Sequence, residues 1–343
     1  MQETFEAWEG VRQTLLSRRI SDLGLSIRGT LVERLVEELY SELAQRGLAL
    51  RPPVYLSDQW GCPEGTPLIG VPFYLADPRL SRLEEEMAAE VEGELEVMRY
   101  LRHESGHAFN YAYHLYERED WRSTFGRYTR PYRERYQVDP LSRDYVRHIL
   151  CWYAQKHPDE DFAETFAVWL TPGREWRSEY AGWPALAKLE YVERVMAEVG
   201  REAPTSPTLT ADDLPVEAMD YTLGDHYQTV DQRLPITDER QFDGELRSLF
   251  GVASEAPAGE GAGDFLRRHR REIVSRISYW TGESTTVARS FIDHLARRAD
   301  ALELRVRGLE ASTLIELTAF GTAVIMNFRH QSSRGRQRRP ERS

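Results

Sequence analysis

The residues with the clearest chemical potential are His103-Glu104-Ser105-Gly106-His107, an HExxH motif in a stretch with helical patterning. Residues four positions apart on an α-helix are separated by about 40° of rotation and about 6 Å of rise, so both imidazoles can share one metal ion. Glu104 points about 100° away from His103, where its carboxylate can reach a metal-bound water. The motif therefore predicts metal-assisted hydrolysis with Glu104 as the general base.

A catalytic zinc ion also needs a third protein ligand and an open position. In metzincins that ligand is a histidine six residues after the second motif histidine, with a glycine between them. Asn110 and Tyr113 occupy those two positions, which excludes the metzincin class. On a continuous helix His114 would lie about 16 Å along the axis from His103. We therefore expect His114 to be an ordinary helix residue.

Residues 157–170 offer a better third ligand on a second predicted helix. Glu160 and Glu164 are one helical turn apart, next to an aromatic face formed by Phe162, Phe166 and Trp169. Two carboxylates on a buried helix need a cation or hydrogen-bond donors. Glu160 as the third zinc ligand, with Glu164 accepting a hydrogen bond from a ligand histidine, meets that need.

Two alternatives remain open for this helix. Asp161 could ligate the metal in place of Glu160, although it points about 100° away from that residue. The acidic residues could also form a solvated helix start that is favoured only by the helix dipole.

The segments HESGHAFNYAY (103–113) and HPDEDFAETFAVWL (157–170) resemble the bacterial family of putative zinc-binding metallopeptidases, of gluzincin type. They are also similar to the catalytic domain of anthrax lethal factor. The resemblance as a whole is strongest from about Ser57 to Gly200 and fades after residues 203–208. The resemblance implies one Zn²⁺ ion held by the two motif histidines and Glu160. It also implies Glu104 as the base, Glu164 as a supporting carboxylate, and Tyr153 as a tyrosine near the metal.

The resemblance further implies a mechanism and a substrate. Glu104 takes a proton from the metal-bound water, which attacks a peptide carbonyl, and Tyr153 stabilises the oxyanion. In gluzincins the substrate backbone pairs with an edge strand beside the motif helix. The apolar run Leu68 to Tyr74 is the candidate strand here, because Pro72 favours an edge position.

Four other side chains are weaker candidates for the site. Cys62 could approach the metal as an inhibitory thiolate, although a loop cysteine is more often inert. His148, His157 and the more distant His226 are alternative oxyanion donors, and for each of them a cap or surface role is the competing interpretation.

Composition limits the class of protein. The 343 residues include 44 Lys+Arg and 56 Asp+Glu, and the net charge of −12 argues against a nucleic-acid partner. The sequence has no run of eighteen apolar residues and no signal-peptide pattern, so we expect a soluble, cytoplasmic protein with no membrane partner. The two cysteines, Cys62 and Cys151, form neither a disulfide framework nor a CxxC site. Histidines and carboxylates must therefore hold any metal.

The elements that would position these residues are mainly helical. Apolar periodicity predicts one or two helices in 83–118, and further helices at 30–44, 143–155, 159–170, 184–199, 264–280 and 285–298. Residues 314–328 are expected to form a packed helix or strand pair rather than a membrane span. The predicted fold is α+β, with a gluzincin-like metallopeptidase core whose small sheet has an edge strand packed on the HExxH helix.

The predicted domains are a zinc metallopeptidase core (1–204), a mainly helical C-terminal region (205–330) and a basic disordered tail (331–343). Segments 203–208 and 253–263 resemble linkers in composition.

The leading hypothesis is a zinc-dependent peptidase that acts on a peptide or protein substrate. One alternative is a metal-stabilised scaffold that binds a protein partner through its C-terminal helices and basic tail. Another is a zinc amidohydrolase that acts on a non-peptide amide. Glu104 favours an enzyme, because a structural zinc ion has no need of a general base.

Overall fold

The computed structural model describes residues 2–87, 91–133, 136, 138–149, 152–202, 204, 215–229, 238–252, 259–283 and 285–336. By contacts the chain divides into two compact units, one formed by Met1–Met87 with Val91–Val230 and the other within Asp231–Ser343. The observed architecture is mostly helical with small sheets, which agrees with the predicted α+β class at this coarse level.

The first unit contains the HExxH motif and the acidic helix. In chain order its elements are α1 (Gln2–Ser17), α2 (Leu31–Gln45), β1 (Val54–Ser57), β2 (Ile69–Pro72), α3 (Pro78–Met87), α4 (Glu94–Ala112), α5 (Glu119–Phe125), α6 (Pro158–Leu170), α7 (Trp176–Glu179), α8 (Ala185–Val199) and α9 (Leu223–Thr229).

Local sequence signals explain where the two site helices begin. The N-terminus of α4 is closed by the Glu96 carboxylate, which accepts a hydrogen bond from the Gly93 N–H at 2.8 Å. At the start of α6, His157 Nδ1 accepts from the Asp159 N–H at 3.2 Å. Pro158 occupies the first turn, where its missing N–H costs nothing.

The HExxH helix α4 packs directly on the acidic helix α6. Phe109 of α4 stacks on Phe166 of α6, with ring centroids 5.0 Å apart. Gly106 faces Ala163, and a Cβ atom at Gly106 would lie 2.6 Å from Ala163 Cα and 2.9 Å from Ala163 O. The glycine inside the motif therefore allows the close approach of the two helices.

We expect Gly106→Ala to destabilise the protein by about 1–3 kcal/mol and to weaken metal binding, because the clash is with backbone atoms that no side-chain rotation can move. Urea unfolding and zinc titration measure the two effects. Gly10→Ala in α1 is the matched control, since a Cβ there meets nothing within 4 Å. That change should stabilise the protein by up to about 1 kcal/mol. Equal stabilities of the two variants would contradict this account of Gly106.

The small sheet of the first unit differs from the prediction. Strands β1 and β2 pair in parallel, with Val54 opposite Ile69. On the other side of β2, Gly70 N–H donates to Gly61 O at 2.7 Å and Gly61 N–H donates to Gly70 O at 3.3 Å. The expectation that residues 68–74 form an open edge strand is therefore wrong at Gly70, and the segment around Gly61 takes the outer position.

The described residues of 143–155 also do not form the helix that the sequence predicts there. Within this stretch the described residues form bends and a single 3₁₀ turn, Tyr153–Gln155. The backbone N–H groups of His148 and Ile149 donate to the Glu164 carboxylate instead of to helical carbonyls. Trp152 has φ 52°, which is incompatible with a continuous right-handed helix. Side chains of α6 and local backbone geometry thus override the periodic pattern.

The predicted helical stretch 83–118 contains two helices, of which α4 ends at Ala112. His114 has φ 49° and caps a 3₁₀ turn, Leu115–Glu117. The expectation that His114 is an ordinary helix residue is therefore wrong. Its side chain nevertheless lies near Tyr116 and Glu117 and not near the motif histidines.

Residues 215–229 contact the first unit. Ile20 N–H donates to Tyr221 O at 3.1 Å, and Leu223 N–H donates to Arg18 O at 3.0 Å. The division between the compact units, after Val230, thus lies beyond the domain boundary that the sequence predicts after residue 204. The predicted domain limits stay a prediction, because most of 203–214 lies outside the described residues.

The second unit packs helices around a phenylalanine-rich core that includes Phe242, Phe250, Phe265 and Phe291. Its elements are α10 (Asp243–Leu249), β3 (Gly251–Val252), α11 (Ala262–Arg268), α12 (Arg270–Thr281), α13 (Thr285–Ala301), β4 (Leu304–Arg305) and α14 (Glu310–Arg336). Strands β3 and β4 form a short antiparallel pair.

Helix α14 includes residues from the predicted apolar segment and from the predicted tail. Leu317 and Ile325 are buried in the core of the second unit, so the segment forms one packed helix rather than a strand pair. Among the described residues, Glu310–Phe328 is one helical stretch long and apolar enough to cross a membrane, and 22% of it is buried. Core helices of soluble proteins, which are mostly buried, meet the same criterion, so one such helix is weak evidence for a membrane span. The cytoplasmic location stays a prediction, and residues 337–343 of the tail lie outside the described residues.

Candidate metal site

Helices α4 and α6 bring the three predicted metal ligands together. His103 Nε2 lies 3.1 Å from His107 Nε2, and Glu160 Oε2 lies 3.0 Å from the first and 3.1 Å from the second of these atoms. All three side chains are buried. Among the described residues they are the one group of three His, Cys, Asp or Glu side chains whose ligand atoms converge closely enough to hold a metal ion.

Two further carboxylates orient the imidazole rings. Glu164 Oε1 lies 2.9 Å from His103 Nδ1, and Asp159 Oδ2 lies 3.1 Å from His107 Nδ1. Each contact favours a proton on Nδ1, which leaves an Nε2 lone pair directed toward Glu160 Oε2. Two imidazole nitrogens and one carboxylate oxygen then face each other, and a bound cation would relieve their repulsion. The residues present therefore fit a zinc ion, which prefers this donor set.

The electrostatics of these groups are strongly coupled. Burial lowers the pKa of His103, but its hydrogen bonds with Glu160 and Glu164 outweigh burial and raise the pKa to about 9. Burial disfavours the ionised form of Glu160, whereas the neighbouring imidazoles stabilise it. The net result is a pKa of Glu160 well below the usual range. Protons therefore compete with a metal ion for the histidine nitrogens.

Glu164 is completely buried and has three donors. Besides the His103 ring, the backbone N–H groups of His148 and Ile149 donate to it at 3.1 and 2.9 Å. The other acidic side chains at the start of α6 are also buried. The alternative of a solvated acidic helix start is therefore wrong.

Asp161 faces away from the two imidazoles. Its Oδ2 accepts a hydrogen bond from Lys188 Nζ at 2.6 Å, which links α6 to α8. Burial raises the pKa of Asp161 to about 7 even with the lysine beside it. The alternative of Asp161 as the third ligand does not fit this orientation.

The three ligand atoms lie in the wall of a cleft of about 520 Å³. Glu104, which is buried and whose pKa burial raises, lines the same cleft. Four tyrosines also line it: Tyr111, Tyr128, Tyr132 and Tyr153. The segment from Trp60 to Cys62, with Glu64, forms another part of the wall. The predicted base thus lies in the cleft with the candidate ligands.

Tyr153 lies beside the site, in the 3₁₀ turn that precedes α6. Its ring centroid is 5.6 Å from that of His103, and its hydroxyl lies 3.3 Å from Lys156 Nζ and 3.4 Å from the Tyr132 hydroxyl. The position is compatible with the predicted oxyanion role, which stays a prediction.

The weaker candidates occupy varied positions. Cys62 lines the cleft and its thiol donates to Thr66 O at 3.2 Å. His157 lines the cleft but caps α6, and its Nε2 lies 2.8 Å from Arg130 O. His148 Nε2 lies 2.9 Å from Arg99 O, and the His226 ring packs 5.3 Å from that of Phe73. Neither of the last two is among the residues that line the cleft.

Sequence reasoning missed Asp159 and its partners. Asp159 accepts hydrogen bonds from Asn110 Nδ2 at 2.7 Å and from the Tyr111 hydroxyl at 2.6 Å, in addition to its contact with His107. Asn110 and Tyr111 follow His107 by three and four residues, so both lie on its side of α4. That spacing is the signal from which this support could have been found.

The motif residues, the third ligand and the supporting carboxylates thus occur in one continuous part of the chain. Residues 81–173 match the model of the family described as putative zinc-binding metallo-peptidase. The match runs from within α3 to just beyond α6 and includes every candidate ligand. It confirms the resemblance to the family of putative zinc-binding metallopeptidases, whereas the gluzincin type and the similarity to lethal factor stay expectations. No curated protein and no solved structure matches the chain.

Proposed function

We propose that this protein is a zinc-dependent peptidase in which His103, His107 and Glu160 hold one zinc ion. The observation that carries the proposal is the convergence of three buried ligand atoms in the wall of a cleft that also contains Glu104. A purely structural zinc site would need neither the cleft nor the glutamate. The family match supports a peptidase at the level of its description.

In this proposal a bound zinc ion supplies Lewis-acid chemistry and lowers the pKa of a water molecule. Glu104 accepts the proton of the attacking water and returns it to the leaving amine. Its burial raises the pKa of the carboxyl, which makes the carboxylate a stronger acceptor for the proton of the water. Tyr153 donates a hydrogen bond to the oxyanion that develops on the substrate carbonyl. Glu164 and Asp159 hold the two imidazoles in the required orientation.

The substrate in this proposal is an extended peptide that lies along residues 60–64. Strand β2 is paired on both sides at Gly70, so it cannot offer its edge there. The segment around Gly61 lies outside β2 and lines the cleft. An extended peptide could therefore add to this outer segment through backbone hydrogen bonds.

Metal removal tests the proposed function directly. The zinc-loaded protein should cleave peptides of a mixed library, dialysis against a chelator should abolish the cleavage, and about one equivalent of zinc should restore it. Library products are measured by mass spectrometry, with magnesium in place of zinc as the control for ion specificity. Cleavage that persists after complete zinc removal would contradict the proposal. Cleavage of non-peptide amides alone would favour an amidohydrolase instead.

A further inference from the structure

Tyr132 makes a contact that neither the sequence nor the proposed mechanism uses. This residue lies between α5 and α6, and half of its surface is exposed in the cleft. Its hydroxyl donates a hydrogen bond to Glu160 Oε1. A tyrosine hydroxyl carries a proton to donate and a carboxylate oxygen accepts, so the bond runs from Tyr132 to Glu160.

The two oxygens of the Glu160 carboxylate therefore have different partners. Oε2 faces both imidazoles, at 3.0 Å from His103 Nε2 and 3.1 Å from His107 Nε2. Oε1 is engaged by Tyr132 on the cleft side. A carboxylate held in this way presents a single oxygen toward the metal position. A catalytic site needs such restraint, because a second carboxylate oxygen would compete for the position that water or substrate must take.

Lys156 holds the Tyr132 ring in place. Its Nζ lies 4.3 Å from the ring centroid of Tyr132 and 5.0 Å from that of Tyr153, at distances typical of cation–π contacts. The lysine is buried, and its Nζ also lies 3.3 Å from the Tyr153 hydroxyl. On another side the Tyr132 ring packs against His157, with centroids 5.3 Å apart. These contacts direct the hydroxyl of a half-exposed residue toward Glu160.

We propose that Tyr132 is the positioning residue for the metal ligand Glu160. Its hydroxyl occupies Oε1 so that Oε2 alone faces His103 and His107. The role rests on the proposed zinc site, but it concerns the geometry and strength of metal binding rather than the turnover of any substrate.

Zinc affinity tests this role without a substrate. Tyr132→Phe keeps the aromatic ring and its contacts with Lys156 and removes the hydroxyl, which donates to Glu160 and lies 3.4 Å from the Tyr153 hydroxyl. We expect this variant to bind zinc about 10- to 100-fold more weakly than wild type, as found when a hydrogen-bond partner of a ligand is lost. Competition with a chromophoric chelator measures the affinity, and circular dichroism verifies that the variant is folded.

Tyr128→Phe is the matched control. Tyr128 lines the same cleft, but its hydroxyl donates to Glu64 Oε1 at 2.9 Å and not to a metal ligand. Its loss should leave zinc affinity within about twofold of wild type. Equal weakening in both variants would show a general effect of cleft hydroxyls and would overturn the specific role of Tyr132.

Cobalt(II) in place of zinc gives a second readout, because its visible spectrum depends on the number and arrangement of ligand atoms. Tyr132→Phe should change this spectrum, as Glu160 Oε1 becomes able to join the metal, and Tyr128→Phe should not. Weaker affinity with an unchanged cobalt spectrum would assign the loss to packing and overturn the positioning role. Wild-type affinity in Tyr132→Phe overturns it as well. A wild-type protein that binds no zinc would instead overturn the proposed function, and this role with it.

Discussion

Glu104→Gln is expected to keep zinc and the fold while lowering the rate of hydrolysis of any cleaved substrate by on the order of 10³-fold. The amide fills nearly the same volume in the cleft wall, but it cannot accept the proton of the attacking water. Glu104 does not serve as a ligand in the converging set, so metal content should not change. Peptide cleavage rates and zinc content of the same preparation measure the two effects.

The control for this experiment is an exposed carboxylate in the turn that follows α4. Glu117→Gln removes the same charge outside the residues that line the cleft, and it should leave the cleavage rate within about twofold of wild type. If Glu104→Gln holds zinc and cleaves at the wild-type rate, another group must accept the proton. The general-base assignment would then be wrong even though the metal site stands.

The parts of the site on helices were predictable because helical geometry fixes the relative direction of residues three and four positions apart. His103 and His107 had to share one face of α4, and Glu160 and Glu164 had to share one face of α6. Their burial beside an aromatic core also followed from the pattern. What periodicity could not give is the distance between the two helices, which depends on the contact of Gly106 with Ala163.

Contacts made by the connecting segments were less predictable. Residues 143–155 have apolar spacing that favours a helix, but buried Glu164 captures the backbone N–H groups of His148 and Ile149. A tertiary hydrogen bond to a buried carboxylate outweighs a weak local preference. The contact of Tyr132 with Glu160 was unpredictable for the same reason. The two residues do not lie on one helix, so no helical spacing indicates that they meet.

The expectation of an open edge strand was wrong at Gly70 for a related reason. Pro72 correctly suggested an edge, since proline lacks the N–H that a central strand must donate. No comparable signal in the residue pattern indicated that Gly61 would pair with Gly70. Gly70 has little free space, with a Cβ position 3.2 Å from Ser57 Cβ and 3.4 Å from Gly61 O. Because Gly70 has no side chain, the segment around Gly61 can approach it. The candidate surface for the substrate is therefore this segment rather than β2.

Removal of a single ligand is expected to have the largest effect on metal binding. His103→Ala and His107→Ala should each lose stoichiometric zinc, and Glu160→Ala should bind it far more weakly, because a site with three protein ligands has none to spare. Glu164→Gln should keep zinc but lose about 10- to 100-fold in affinity, since the amide cannot accept from the His103 ring as a carboxylate does. Zinc content after gel filtration and competition titrations measure these losses.

Asp161→Asn is the matched control on the same helix. Asp161 binds Lys188 rather than the imidazoles, so this variant should hold zinc at full occupancy while its loss of the buried ion pair lowers stability. Thermal unfolding separates the two effects: zinc at 100 times its dissociation constant adds about 2.7 kcal/mol of stability to any variant that still binds it. The increase should appear in Asp161→Asn and be absent in His103→Ala. Full zinc occupancy in Glu160→Ala, or its loss in Asp161→Asn, would transfer the ligand role from Glu160 to its neighbour.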